Sequence, residues 1–206
     1  MTNMRPASIH QFALPRFSVA GRSVVDIGTY DGATLMHPFY AVASERCGMD
    51  IDAAAIGEGK RDYPSLDLIV ADADTRLPYP DERFDVVVSK GTLLFTDVRR
   101  SIAECYRIMK HGGDFYLTMH DWRHWLGFLR GAVKNRAWKR FIDHGYILGA
   151  SGIYIAAGYV PKRPWKGGRE SFQTKGSLKR DILRAGFVSP VFERTARDFI
   201  ISAHKE

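Results

Sequence analysis

Ser23 to Gly32 reads SVVDIGTYDG. Val24 and Val25 lead through Asp26 and Ile27 into Gly28, and Gly32 follows four residues later. The pattern is a buried parallel strand that breaks into a glycine turn and enters a helix. Glycines there let backbone approach a ligand, as in nucleotide-binding βα turns. The dinucleotide fingerprint requires G-x-G-x-x-G, and Tyr30 holds its second glycine position. No G-K-[ST] follows, so the turn is not a phosphate loop. On spacing alone it equally fits an ordinary first turn of an α/β sheet.

Further strands follow at α/β spacing. Gly48–Asp52 is a short second strand, with a helical turn at Ala53–Ile56 interrupted by Gly57 and Gly59. Leu66–Asp72 is the third, again ending in acid. Phe84–Ser89 is the fourth, and its three consecutive valines call for burial on both faces. Arg99–Met109 has helical spacing, His111-Gly112-Gly113 stops it, and Asp114–Met119 is the fifth strand. Trp122–Ile142 has the apolar positions of a helix, and Gly145–Val160 fits a hairpin or a buried irregular segment. Ser177–Ala185 is a helix capped by Gly186, followed by strands at Phe187–Glu193 and Asp198–Ala203, close enough to run antiparallel. The expected fold is α/β: a Rossmann-like, seven-stranded, mostly parallel sheet in one domain over 1–206.

The net charge of +7 is unevenly placed. Trp122–Lys175 holds eleven Lys/Arg against Asp143 and Glu170, a local +9 that leaves −2 elsewhere. This basic, aromatic insertion implies an anionic partner or a solvated basic face. Cys47 and Cys105 form neither a C-x-x-C nor a zinc pattern, and no apolar leader opens the sequence. A reduced, cytoplasmic chain is expected. Gly145–Pro161 is too short and glycine-rich for a membrane span.

From Gly21 to His120, and again from Ser177 to Lys205, the chain resembles the class I S-adenosylmethionine-dependent methyltransferases, most of all the methyltransferase type 11 group. VVDIGTYDG resembles the family's V-D-I-G-C-G-x-G, GMDID its second motif, and ADADTRLPYPDERFDVVVS its A-D-A-x-x-L-P-F-P-D-x-x-F-D-x-V. MKHGGDFYL and LRAGF resemble the turns before its fifth and sixth strands.

The resemblance implies S-adenosylmethionine as cofactor. It puts Asp26, Gly28 and Gly32 against the methionine part, with Thr29 and Tyr30 replacing the usual Cys and Gly. It puts Asp50 on the ribose hydroxyls, where a carboxylate's two oxygens suit a vicinal diol. Asp72 falls on the adenine amino group and the Ala73 backbone on a ring nitrogen. Ile51, Tyr30 and Ser89 complete the expected cofactor lining.

Strand carboxyl ends face the crevice in such sheets. Ser89 and Lys90 follow strand four, and His120, Asp121 and His124 follow strand five. His120 is the candidate general base, with Asp121 or His124 to orient it, or these groups merely cap strand and helix. No metal site is assigned. The flap at 1–20 and the insertion at 122–175 are the expected substrate roof.

The acceptor expected first is a small molecule, anionic in character and methylated at oxygen. RNA, protein or lipid docked by the basic insertion is the alternative, as is a binding protein without catalysis. Nucleic acid and a membrane surface rank behind the small acceptor, and a homodimer is compatible with the insertion.

Overall fold

The computed structural model describes residues 14–120, 125, 138–165, 168–195 and 198–206. β1 (Ser23–Ile27) is buried along its whole length, with β2 (Glu45–Asp50) and β4 (Phe84–Lys90) parallel on either side. β3 (Asp67–Val70) pairs beyond β2, and β5 (Met109–His120) beyond β4, both parallel. β7 (Asp198–His204) runs antiparallel between β5 and β6 (Val188–Arg194), giving the seven-stranded order β3-β2-β1-β4-β5-β7-β6. The chain leaves β1 on one side and returns as β4 on the other. That reversal opens a crevice at the carboxyl ends of β1 and β4.

Each face of the sheet carries its own core. Val24, Val86, Val88 and Tyr116 pack on one face, and Val25, Ile27, Val87 and Phe115 on the other. Burial on both faces explains why β1 and β4 read as continuous valine runs. Of the expected flap, residues 1–13 lie outside the described residues, while Val19 is buried and Phe17 packs against the same core.

The helices correct several expectations. A 3-10 turn at Ala33–Met36 ends at His37, whose Nδ1 accepts the Phe39 N–H at 3.1 Å, and Pro38 starts α1 (Pro38–Ala41). α2 (Ala53–Asp62) is not interrupted by Gly57 and Gly59. Asp52 starts it, accepting the Ala54 and Ala55 N–H groups at 3.0 and 3.1 Å. Gly59 is required: a Cβ there would stand 2.0 Å from the Asp31 carbonyl oxygen.

α3 (Val98–Ile108) gives way directly to β5, so His111–Gly113 lies inside the strand. A register shift opposite Phe84 and Val86 absorbs it. Gly145–Ala157 belongs to α4 (Trp138–Ala157), neither hairpin nor irregular segment. Ile147, Ala150, Ser151 and Tyr154 are buried at spacings of three and four, a helical stripe. The helix expected from Trp122 lies outside the described residues, apart from Trp125 and the start of α4. α5 (Lys175–Ala185) is capped by Thr174 and ends on Gly186 at φ +107°.

Candidate active site

The turn after β1 builds the floor of the cleft. Gly28 holds φ +84°, and its N–H donates to the Met49 carbonyl at 2.8 Å. A Cβ at Gly28 would lie 1.9 Å from Thr92 Oγ1, so glycine lets the loop after β4 close over the turn. Tyr30 is also left-handed, at φ +59°, and its N–H donates to Asp50 Oδ2 at 2.8 Å. Asp50 Oδ1 accepts the Asp52 N–H at 3.0 Å. Both oxygens of this carboxylate are therefore fixed by backbone and retain further acceptor capacity.

A cleft of about 350 Å³ opens here, lined by Gly28, Asp50, Ile51, Asp72 and Ala73 among others. Thr92, Phe95 and Thr96 close its other wall. Exposed Ile51 and Phe95 offer apolar surface suited to a flat ring. Asp72 Oδ1 accepts the Asp74 N–H at 2.8 Å, and the Asp72 carbonyl accepts Thr75 Oγ1 at 2.8 Å, so the loop is locked into a turn. Arg107 fixes its continuation, donating to the Leu77 and Tyr79 carbonyls at 3.0 and 2.9 Å and to Asp81 at 2.7 Å.

Five of the nine expected cofactor residues thus line one cleft. Tyr30 joins them through its backbone, by holding Asp50. Gly32 instead faces Leu66 and Leu68, which a Cβ would meet at 3.0 Å. Ser89 is buried and donates to the Ile27 carbonyl at 3.0 Å, tying β4 to β1. Asp26 is buried on the opposite face of β1 from Val25 and Ile27, with Lys90 Nζ 3.8 Å from its Oδ2. That ammonium also lies 4.7 Å from the centre of the Tyr40 ring. Burial raises the Asp26 pKa and lowers that of Lys90, while each charge works against the other's shift. Asp26 Oδ1, Lys90 Nζ and Tyr40 Oη have no hydrogen-bond partner among the described residues.

His120 closes β5. Its Nδ1 lies 2.6 Å from Asp198 Oδ1, and both side chains are partly exposed. The two residues are directly paired across the β5–β7 register. Asp198 is held in turn, its N–H donating to Thr195 Oγ1 at 2.9 Å. The other two catalytic candidates, Asp121 and His124, lie outside the described residues. Sequence reading missed Asp198, Thr92, Phe95 and Thr96. Only the last three carried a signal, as neighbours of a strand carboxyl end.

The donor set fits S-adenosylmethionine. It offers an anchored carboxylate for a diol, a glycine turn that a Cβ would block, and apolar walls. It also leaves Asp26 Oδ1, Thr29 Oγ1, Tyr40 Oη and Lys90 Nζ, four buried polar atoms at or beside the β1 turn, without a hydrogen-bond partner among the described residues. Sheet order, switch point and cleft define the class I methyltransferase fold.

Residues 25–117 match the methyltransferase domain family. A demethylmenaquinone methyltransferase of Renibacterium salmoninarum is 32% identical over 97 residues, 47% of this chain and 40% of that one. A phthiotriol/phenolphthiotriol dimycocerosates methyltransferase of Mycobacterium tuberculosis is 29% identical over 118 residues, 55% of this chain and 43% of the relative. The matched regions thus cover less than half the length of either relative. Among solved structures, an S-adenosylmethionine-dependent methyltransferase from Mesorhizobium loti superposes with a TM-score of 0.65 at 17% identity. That match covers 93% of this chain and 94% of the other and shows the shared fold.

Proposed function

We propose that the chain transfers a methyl group from S-adenosylmethionine to a small acceptor held at the carboxyl ends of β4 and β5, with His120 as general base. The observation that carries this reading is the adjacency of two sites. The cleft ends at the Gly28 turn and the loop after β4, and the His120–Asp198 pair stands at the end of the next strand. Asp50 is the residue to hold the ribose hydroxyls, Asp72 the adenine amino group, and the Ala73 backbone the ring. Gly28 admits the methionine part, with Asp26 and Lys90 behind it.

Bound S-adenosylmethionine supplies an electrophilic methyl group and its own leaving group. The protein's work is to align the acceptor, exclude water and receive a proton. Asp198 accepting from Nδ1–H selects the tautomer with its lone pair on Nε2, the nitrogen that takes the proton. A base at this position favours a hydroxyl acceptor. The local +9 of the insertion favours one bearing carboxylate or phosphate.

A second reading, a lipid-soluble acceptor, draws on the apolar outer face of α4 and on the acceptors in the two relatives' names.

The test is transfer of label from methyl-labelled S-adenosylmethionine to two panels of compounds. One holds hydroxy acids and phosphates, the other detergent-dispersed quinols and phenolic lipids. Label is expected in at least one hydroxyl compound, and His120→Ala should slow transfer at least about 100-fold while sparing cofactor binding. Cofactor binding with no transfer to either panel would overturn the enzymatic reading. Transfer unaffected by His120→Ala would remove the base.

A further inference from the structure

The outer face of α4 lacks the polar surface that a solvent-facing helix normally presents. Ile142, Leu148, Ile153 and Ile155 are 39–62% exposed. Gly145, Gly149 and Gly152 lie between them, and a Cβ at any of the three would meet nothing within 4 Å. No charged residue occurs from Gly145 to Ala157. Amphipathic helices turn charged residues outward, and a contiguous exposed apolar patch marks an interaction surface.

The surroundings of this face identify what covers it. The helix lies within the +9 segment, with Lys139 and Arg140 in its first turn and exposed Lys162 shortly after its end. The segment's two acids are both engaged: Glu170 is ion-paired with Arg163, and Asp143 accepts the Trp165 indole N–H at 3.3 Å. That contact sets Trp165, half exposed, beside the helix, and Tyr159 is exposed as well. An apolar helical face within a segment of net +9, with exposed Tyr159, Lys162 and Trp165 following it in the chain, matches the boundary between lipid headgroups and acyl chains. A second copy of the chain would bring a second +9 segment against the first, which like-charge repulsion opposes. Among the described residues no helix is long and apolar enough to cross a membrane.

We propose that α4 docks the protein, apolar face inward, on an anionic phospholipid membrane. The inference does not depend on methyl transfer, and its test reads binding alone.

The full chain is sedimented with vesicles of phosphatidylcholine, and with vesicles of equal parts phosphatidylcholine and phosphatidylglycerol. Binding is expected only to the anionic vesicles, weakening as salt rises. The double variant Leu148→Glu/Ile153→Glu should bind at least about tenfold less. Leu148→Ser/Ile153→Ser provides a milder version should the first not keep the wild-type melting transition. Three results would overturn the proposal. One is no binding to anionic vesicles at low salt. Another is binding that a folded variant leaves unchanged. The third is a stable dimer that the variants split, without vesicle binding by the wild type.

Discussion

His120 Nδ1 and Asp198 Oδ1 lie 2.6 Å apart, across a register that pairs the last residue of β5 with the first of β7. The β5–β7 ladder holds both backbones, and Thr195 caps Asp198. His120→Ala should lower kcat at least about 100-fold, the span assigned to general acid–base catalysis. Asp198→Asn should give a smaller loss with little change in KM, because it disturbs the tautomer and not acceptor contact. Steady-state kinetics of both variants, with cofactor affinity measured separately, checks the pair. Full activity in Asp198→Asn would reduce it to a strand-end contact.

Asp50 is held through both oxygens by the amides of Tyr30 and Asp52. Asp50→Ala removes the proposed diol acceptor and two backbone anchors together. S-adenosylmethionine affinity should fall at least about tenfold, or 1.4 kcal/mol. Calorimetric titration reads this directly. Unchanged affinity would take the carboxylate out of the cofactor site.

Two glycines of α2 should respond with opposite sign. Gly57 has open space, with only Arg61 Nη1 at 3.8 Å, so Gly57→Ala should stabilise by about 0.5–1 kcal/mol through helix propensity. Gly59→Ala would drive a methyl group to 2.0 Å from the Asp31 carbonyl and should destabilise despite the same propensity gain. Urea midpoints separate the two. Stabilisation by both would mean that α2 does not pack on the Asp31 turn.

Acid should unfold the protein partly through Asp85. Burial opposes ionisation of its carboxyl, but hydrogen bonds from Ser23 and Lys110 outweigh it and hold the pKa at about 2. An unfolded aspartate titrates near 3.9, so between these values the unfolded state binds more protons. The stabilisation is therefore present above about pH 4 and lost as pH falls toward 2. Asp85→Asn should flatten stability against pH in that window. An unaltered slope in acid titrations followed by circular dichroism would contradict the assignment.

Both thiols should be silent in the native protein. Burial pushes Cys47 and Cys105 up to about 12, with Glu45 and Asp67 adding to the shift at Cys47. A thiol-reactive chromophore should label neither at neutral pH and both after denaturation. Rapid native labelling would show that one core opens locally.

The parts of the fold that were legible are those with one strong local signal. β1 and β4 announce themselves through valines that only a doubly covered strand would bury, and the acids ending the strand motifs mark the cleft. The continuation of α2 was hidden because glycine is a breaker by propensity, whereas Gly59 is demanded by close packing against Asp31. α4 was ambiguous because its outer face is as apolar as its inner one, which masks the period set by Ile147, Ala150 and Tyr154. Asp198 was invisible as a partner of His120, since 78 residues separate them and only the register of β7 on β5 brings them together.

The Gly28–Asp50–Asp72 cleft is proposed to take S-adenosylmethionine. Native mass spectrometry of the purified chain, alone and with S-adenosylmethionine or its demethylated product, tests it most directly. One ligand per chain is expected for either compound, with occupancy sharply reduced in Asp50→Ala. Absence of bound mass for both ligands in the folded wild type would contradict it.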